Sequence, residues 1–528
     1  MFDSLRIYGA KVEKSGSLIW RGYGNWLLAA VVSVVCAIYA LTYVLNHDVA
    51  WWLFVAESMV DGESLYDDLV EINPPLYGYL SMVPVGLARG LGLEVTEIVK
   101  LYYLVVFLAL AGWSANLLKP ALNDQRDGPL AISLLVLILI GLPGVDWAQR
   151  EHVMLGLFLP YLLTQTRRRL GHYVSPSAAA ATGIAAGFGI ALKPQFVLLW
   201  ILFELTLWLG TGRRKKWLWR TELWLLAFVL AIYGGFVLLA YPTYIQLLID
   251  ARHLYTEFSS KPLGALLLRP SGLILLATAV FLWFHRHKNT PPYQYARDLL
   301  VFACAAWLVA LLQAKGWAYH FYPTLAATSL AAMLLFLDQM LKLKRTDCRV
   351  PKARRAGTLL FSGVVFALLT LTIGGQIGYD NVRTAVLETQ FEYLRLEGTK
   401  SLVIMSPRVP DSFPIVNWLD TGWASPFPHL WWLQAAHGNN PGSSAAPPVP
   451  KDSVELAFRD QLIERVKSME PELVLIDTAK TARFSGAPFP YVAYMSQDAR
   501  FRSLWKDYER TGAVQHFRVY SRQRTVRD

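Results

Sequence analysis

Between residues 46 and 79 the chain carries His47, Asp48, Glu57, Asp61, Glu63, Asp67, Asp68 and Glu71, in a stretch that separates two apolar runs. Carboxylates at that density can take a proton from a hydroxyl, hold a polyol or bind a hard cation. Asp48 is the best-placed general base, because it follows the first apolar run, residues 26–45, and the helix end fixes its position. Glu71 precedes Asn73-Pro74-Pro75, where proline opens a new helix at little cost. It is a candidate ligand for sugar hydroxyls or, with Asp48, for a divalent cation. An all-oxygen donor set suits magnesium, manganese or calcium. Asp67 and Asp68 compete for the same roles. The plain alternative is a solvated acidic loop, but Trp51, Trp52, Phe54 and Tyr66 read as interfacial anchors.

A second set of residues is cationic. Lys193 ends an apolar run and is followed by Pro194-Gln195. Lys315, Tyr319 and His320 occupy the matching edge of another run, in the segment QAKGWAYHFYP. Two cationic turns on one face predict an anion between them, a phosphate or pyrophosphate, with Arg252, His253 and Arg269 adding charge. A lysine so placed can also simply snorkel to the surface. Arg150 and Glu151 open a further apolar run within Asp146–His152. They form either a self-neutralising pair or part of the site.

These residues need a membrane scaffold. The chain has 528 residues, is 54% apolar and has a mean hydropathy of +0.33. Apolar runs of membrane-spanning length recur from residue 26 to about 375, and the last 150 or so residues have none. The expected architecture is a polytopic α-helical membrane protein with about 11–12 hydrophobic segments and a C-terminal soluble α/β domain. The N-terminal 24 residues are polar and basic, without a cleavage site after the first run, which therefore reads as a retained helix.

The net charge of +11 does not indicate nucleic acid. The basic residues gather in short loops: 167–169, 213–216 with Arg220, 285–288, and 342–345 with 352–355. That is the positive-inside pattern. Assigning those loops to the cytoplasm places residues 46–73, 146–151, 192–195, 241–262 and 313–323 outside, together with the C-terminal domain. The expected domains are a cytoplasmic segment 1–24, a membrane domain 25–377 and an extracytoplasmic domain 378–528. Three apolar segments, 76–91, 99–118 and 130–144, lie between external sites, so one of them does not cross. In the last domain, residues 401–406 and 472–478 read as strands, 454–469 and 498–511 as helices, and 513–521 as an edge strand. Residues 437–450 read as a loop. The three cysteines, Cys36, Cys304 and Cys348, are too scattered for a metal site.

The pattern resembles the GT-C superfamily of integral-membrane glycosyltransferases, which includes protein O-mannosyltransferases and lipid A aminoarabinose transferases. The resemblance covers the layout of the whole membrane domain. In residues it rests on the acid after the first helix (Asp48), Glu71 with Pro74-Pro75, the polar turn Arg150-Glu151, and Lys315 with Tyr319 and His320. It implies an inverting membrane glycosyltransferase, hexosyl- or pentosyl-, of the bacterial inner membrane. Such an enzyme moves a monosaccharide from a polyprenyl-phosphate donor to an extracytoplasmic acceptor in a cell-envelope glycan, lipid or protein. Asp48 would be the catalytic base, and the basic residues would hold the donor phosphate. His47-Asp48-Val49 departs from the Asp-Glu or Asp-x-Asp seen at this point in many members. Two other functions compete: a polytopic transporter, and a lipid-linked glycan ligase or polymerase. Charges collected at one surface without an internal repeat disfavour the first. A short loop at 241–262 disfavours the second.

Overall fold

The structure, a computed structural model, describes residues 23–122, 127–210, 217–284, 290–345, 352–438, 446–450, 453–480, 484 and 486–523. The expected basic loops 213–216 and 285–288, most of segment 1–24 and part of the loop 437–450 lie outside the described residues. The chain folds as two compact units, each assembled from three separate stretches. The first comprises 1–43, 100–233 and 262–377, and the second 44–99, 234–261 and 378–528.

The described helices, in chain order, begin with α1 Tyr23–Thr42, α2 His47–Val60, α3 Leu76–Leu91, α4 Val95–Leu118 and α5 Gly128–Val136. Then follow α6 Arg150–Arg169, α7 Pro176–Ala191, α8 Gln195–Leu209, α9 Thr221–Ala240, α10 Pro242–Asp250 and α11 Arg252–Glu257. After these come α12 Pro270–Phe284, α13 Pro291–Gln313, α14 Tyr322–Arg345 and α15 Lys352–Leu396. Six of the described helical stretches are long and apolar enough to cross a membrane, and four more are apolar but shorter. The 20-residue α6 carries charges at both ends, and at about 1.5 Å per residue it covers roughly 30 Å, the thickness of a hydrocarbon core.

In the first unit, small residues let helices approach closely. A Cβ on Gly183 of α7 would lie 2.5 Å from the Glu222 carbonyl oxygen of α9, and one on Gly187 would lie 2.7 Å from Val229 Cβ. Only glycine fits at that spacing. The far end of α6 is clamped by ion pairs: Arg168 with Glu222 at 2.8 Å, and Arg169 with the fully buried Asp298 at 2.7 Å. Asp298 also accepts from Thr166 Oγ1 at 2.9 Å.

The second unit is built on a five-stranded sheet. The strands are β1 Ser401–Met405, β2 Gly422–Trp423, β3 Leu473–Asp477, β4 Tyr508–Val514 and β5 Phe517–Arg522, in the order β2-β1-β3-β5-β4. β1 runs parallel to β2 and β3, and β5 is antiparallel to β3 and β4. The described helices here include α16 Ile415–Leu419, α17 Trp431–His437, α18 Val454–Met469 and α19 Ala499–Trp505. Two expectations are corrected. The stretch 513–521 is no edge strand, because β5 pairs on both sides; β4 is the edge. The helix expected over 498–511 stops at Trp505, and β4 takes up the remainder, bulged between Arg510 and Gly512.

The stretch 46–73, which the structure folds largely as α2, packs into this unit. Asn417 Nδ2 donates to the Ala50 carbonyl at 3.2 Å, Val70 N to the Pro426 carbonyl at 2.7 Å, and Arg465 pairs with Glu63 at 2.6 Å. Trp51 meets Phe413 edge-on, with ring centroids 5.3 Å apart. Tyr66 packs on Tyr241 and Tyr244, and Phe258 on Trp431, which draws 241–258 into the same unit. Among the three apolar segments in question, 76–91 is α3, a helix of 16 residues. It buries Tyr77, Ser81, Val85 and Ala88 and exposes Tyr79, Val83, Leu87 and Leu91. That stripe suits a helix lying at an interface.

Candidate functional site

Each unit positions a separate group of the predicted residues. In the first unit, three turns converge. One precedes α6, where Ala148 adopts a left-handed φ of 60° and its N–H donates to His152 Nδ1 at 3.1 Å. A non-glycine residue in that region is held there by its surroundings. The turn sets Arg150 and Glu151 at the start of α6, where both are buried. The second turn, between α7 and α8, presents Lys193. The third, between α13 and α14, starts with left-handed Ala314 (φ 55°) and Gly316 (φ 67°) and carries Lys315, Tyr319 and His320. Gln195 Nε2 donates to Gln313 Oε1 at 3.0 Å, tying the second turn to the third.

The charges meet in the middle. Lys193 Nζ lies 2.5 Å from Glu151 Oε1, and His320 Nε2 lies 3.7 Å from the same oxygen. Lys193 Nζ is also 5.1 Å from the Tyr319 ring centroid. The charges of Lys193, Arg150 and Lys315 all act on His320. Arg269 donates to the Gly316 carbonyl, adding a cation to the third turn. The structure thus brings together Arg150, Glu151, Lys193, Lys315, Tyr319, His320 and Arg269. Arg150, Lys193, Lys315, Glu151 and Asp146 are all buried. Glu151 Oε2 and His320 Nδ1 are buried with no hydrogen-bond partner, and buried polar atoms seldom stay so without a ligand or water. His152, by contrast, is spent on structure. Its ring stacks on Phe107 with centroids 3.7 Å apart, and its Nε2 meets the Leu139 carbonyl at 2.7 Å.

The second unit holds Asp48, Glu71, Asp67, Asp68 and Arg252. Asp48 lies in the first turn of α2, capped by Asn46, whose Oδ1 accepts from the Asp48 N–H at 2.9 Å. It is therefore fixed by the start of α2 and not, as expected, by the end of the preceding helix. The positive end of the helix dipole favours its anionic form. His47 Nε2 is 3.7 Å from Asp48 Oδ1. Burial pushes the His47 imidazole down to about 4, against the pull of Asp48 and with the push of Arg383. At neutral pH His47 is therefore uncharged.

Glu71 acts as a clamp. Its Oε2 accepts from Trp51 Nε1 at 2.7 Å, and its Oε1 accepts from Asn73 N at 2.9 Å and Nδ2 at 2.6 Å. Asp68 Oδ2 accepts from the Ser64 N–H at 2.7 Å, closing a turn, while Asp67 and Arg252 are exposed. Sequence reasoning missed a further cluster at the carboxyl ends of β1 and β3. Asp411, Asp477 and His516 bring ligand atoms within 4.8 Å of one another. Arg408 forks onto Asp411, its Nε lying 3.0 Å from Oδ2. Burial raises the Asp477 carboxyl above its ordinary range, with Asp411 adding repulsion. The only sequence signal was the position of Ser406 and Asp477 at strand ends.

No protein-family model and no curated protein matches the chain. Solved structures do. A structure of ArnT from Cupriavidus metallidurans bound to undecaprenyl phosphate superposes with a TM-score of 0.56 at 14% identity, covering 94% of this chain and 98% of that one. ArnT in the apo state gives a TM-score of 0.56 at 12% identity, covering 96% and 98%. The mycobacterial arabinofuranosyltransferase AftD gives 0.46 at 13% identity, covering 95% of this chain and 40% of that one. The chain therefore shares its fold with ArnT: mostly helical, with six described stretches long and apolar enough to cross a membrane and a small mixed sheet near the C-terminal end.

Proposed function

We propose that this protein is an inverting membrane glycosyltransferase that moves a monosaccharide from a polyprenyl-phosphate donor to an extracytoplasmic acceptor. One observation carries the reading: a cluster of the buried cations Arg150, Lys193 and Lys315, with the half-buried Arg269 on the same turn as Lys315, in a fold shared with a protein captured on undecaprenyl phosphate. Lysine and arginine side chains gathered at three turns are the groups that bind a phosphate by charge-assisted hydrogen bonds.

In this reading the acceptor hydroxyl attacks the anomeric carbon from the face opposite the phosphate. The bond from that carbon to the phosphate oxygen breaks, and polyprenyl phosphate leaves as an anion. The attacking hydroxyl's proton goes to Asp48. Lys193, Lys315 and the arginines stabilise charge growing on the leaving phosphate. Glu151 and His320 contribute hydrogen-bonding groups beside it. Both oxygens of Glu71 already accept from Trp51 and Asn73, so it suits positioning Asp48's loop better than holding magnesium, manganese or calcium.

The protein would sit in the bacterial inner membrane with its N-terminus cytoplasmic and the C-terminal domain outside. Arg168 and Arg169 end α6, roughly one bilayer thickness from Arg150. That spacing agrees with basic loops on the cytoplasmic side. The test is transfer in detergent, without a gradient, from purified polyprenyl-phosphate monosaccharides to envelope glycans, lipids and proteins. Release of polyprenyl phosphate coupled to sugar transfer supports the reading. Gradient-driven substrate movement in proteoliposomes, with the donor bond intact, would favour a transporter instead.

A further inference from the structure

From Asp380 onward, α15 turns one face into the second unit. Asp380, Arg383, Leu387, Gln390 and Leu394 are all buried, and their spacing of three and four residues puts them on a single helix face. Leucine at such positions is ordinary packing. A buried arginine calls for an explanation, because a guanidinium out of water needs acceptors for its donors. Arg383 finds two of them outside its own helix. Its Nη1 donates to the Val44 carbonyl at 3.3 Å, and its Nη2 donates to the Leu45 carbonyl at 2.7 Å. Further along the same face, Gln390 Nε2 donates to the Asp411 carbonyl at 3.0 Å.

The two carbonyls belong to the non-helical link 43–46 that leads into α2. Carbonyls in such a link have no helical ladder to join, so the groups that bind them set its course. The link ends at the buried Asn46, whose Oδ1 accepts from the Asp48 N–H at 2.9 Å and whose carbonyl accepts from the Ala50 N–H at 2.8 Å. Asp48 follows Leu45 by only three positions. The guanidinium, the link, the cap and the carboxylate thus form one continuous chain of hydrogen bonds and covalent bonds. The same cation acts on His47. Burial, and with it the Arg383 charge, disfavours the imidazolium against the pull of Asp48 and Asp411. The ring 3.7 Å from Asp48 Oδ1 is therefore not a cation competing for the carboxylate. A guanidinium holds its own proton throughout, so what Arg383 supplies is geometry and charge.

We propose that Arg383 is a positioning residue for the proton-accepting step: its guanidinium clips the Val44 and Leu45 carbonyls, and the clip fixes where α2 begins and hence where the Asp48 carboxylate lies. The proposal rests on the glycosyltransfer reading, with Asp48 as the base. Misplacing a catalytic group by about 1 Å costs about a hundred-fold in rate. Lysine replaces Arg383 only in part, because one ammonium lacks the planar fork that reaches two carbonyls at once.

The experiment has two readouts on the full-length protein in detergent. The first is hydrogen exchange followed by mass spectrometry, without donor or acceptor. Peptides covering 44–52 should exchange about tenfold faster in Arg383→Gln and less so in Arg383→Lys. Peptides from α18 should stay as protected as in the unsubstituted protein. Unchanged exchange across 44–52, or equal acceleration throughout the second unit in both variants, would overturn the proposal. The second readout is transfer, measured in a cycle with Asp48→Asn. Arg383→Gln should lower kcat about a hundred-fold while leaving donor affinity and acceptor KM unchanged. Arg383→Lys should recover part of that loss. In the Asp48→Asn background, Arg383→Gln should cost nothing more, because residues that act as a unit are not additive. An equal loss in both backgrounds, or a loss confined to KM, would show a role apart from Asp48 and defeat the proposal. If the unsubstituted protein transfers no sugar while the exchange result holds, the glycosyltransfer reading fails and the clip on α2 stands.

Discussion

Lys193 and Glu151 form an ion pair of 2.5 Å between side chains only 4% and 1% exposed. A pair so far from water gains little net stability, because desolvation offsets the attraction. Its value is geometric. Glu151 holds the ammonium of one turn against the start of α6, while Arg150, one residue away, acts with Lys193 and Lys315 on His320.

Donor binding tests this arrangement. Lys315→Met keeps the apolar stem and removes one charge-assisted contact, which is of the order of 1.5–3 kcal/mol. The donor dissociation constant should rise about tenfold or more, since about 1.4 kcal/mol is a factor of ten. Lys193→Met alone strands Glu151 as a buried charge, so the informative variant is Lys193→Met with Glu151→Gln. It should fold and bind donor weakly. Wild-type donor affinity in both variants would show that the lysines only snorkel.

Asp48→Asn preserves shape and cannot accept a proton. Transfer should fall about a hundred-fold or more, a usual loss when a general base is removed. Donor binding should be unchanged, because Asp48 is not among the phosphate-binding groups. Turnover near that of the unsubstituted enzyme would remove Asp48 from the chemistry.

Topology is checked with a reporter that fluoresces only in the cytoplasm. Fused after Asp528 it should stay dark, and inserted between residues 213 and 220 it should light up. The reverse pattern would put every polar turn of the proposed site on the wrong face.

Glu57 gives a pH dependence with a defined sign. Burial lifts its folded-state value to about 7, above the ordinary carboxyl value of 4.5. Between those values the folded state holds a proton that the unfolded state has lost, so stability falls as pH rises from 4.5 through 7. Glu57→Gln should therefore raise the unfolding temperature at pH 8 and leave it nearly unchanged at pH 4.5. An equal effect at both pH values would contradict the shift.

Asp298→Ala should be strongly destabilising. It leaves Arg169, and the buried Thr166 hydroxyl, without the acceptor at the end of α6. Removing one partner of a buried pair costs about 3–5 kcal/mol, read as a lower unfolding temperature in detergent. A variant as stable as the parent would mean the network is dispensable.

The expected helical runs, the two strands β1 and β3 and the helix 454–469 were legible in sequence because each is set by local pattern: apolar length for spans, short β-rich stretches for strands, a 3.6-residue repeat for the helix. The candidate cations were legible too, since lysine and arginine at the edge of an apolar run are costly enough to stand out. What the sequence left open depends on partners distant along the chain. Whether Glu151 pairs with Arg150 or with Lys193, 42 residues away, is decided by how α6 and the α7–α8 turn pack. Glu71 has the same composition signal as a ligand, yet Trp51 and Asn73 make it a clamp. β5 looks like an edge by its alternation, and only its pairing with β4 makes it interior. Glu57, Glu94 and Asp420, from three separate segments, line one cavity. Tertiary packing alone brings such like charges together, because local sequence carries no record of which distant carboxylates will share a wall.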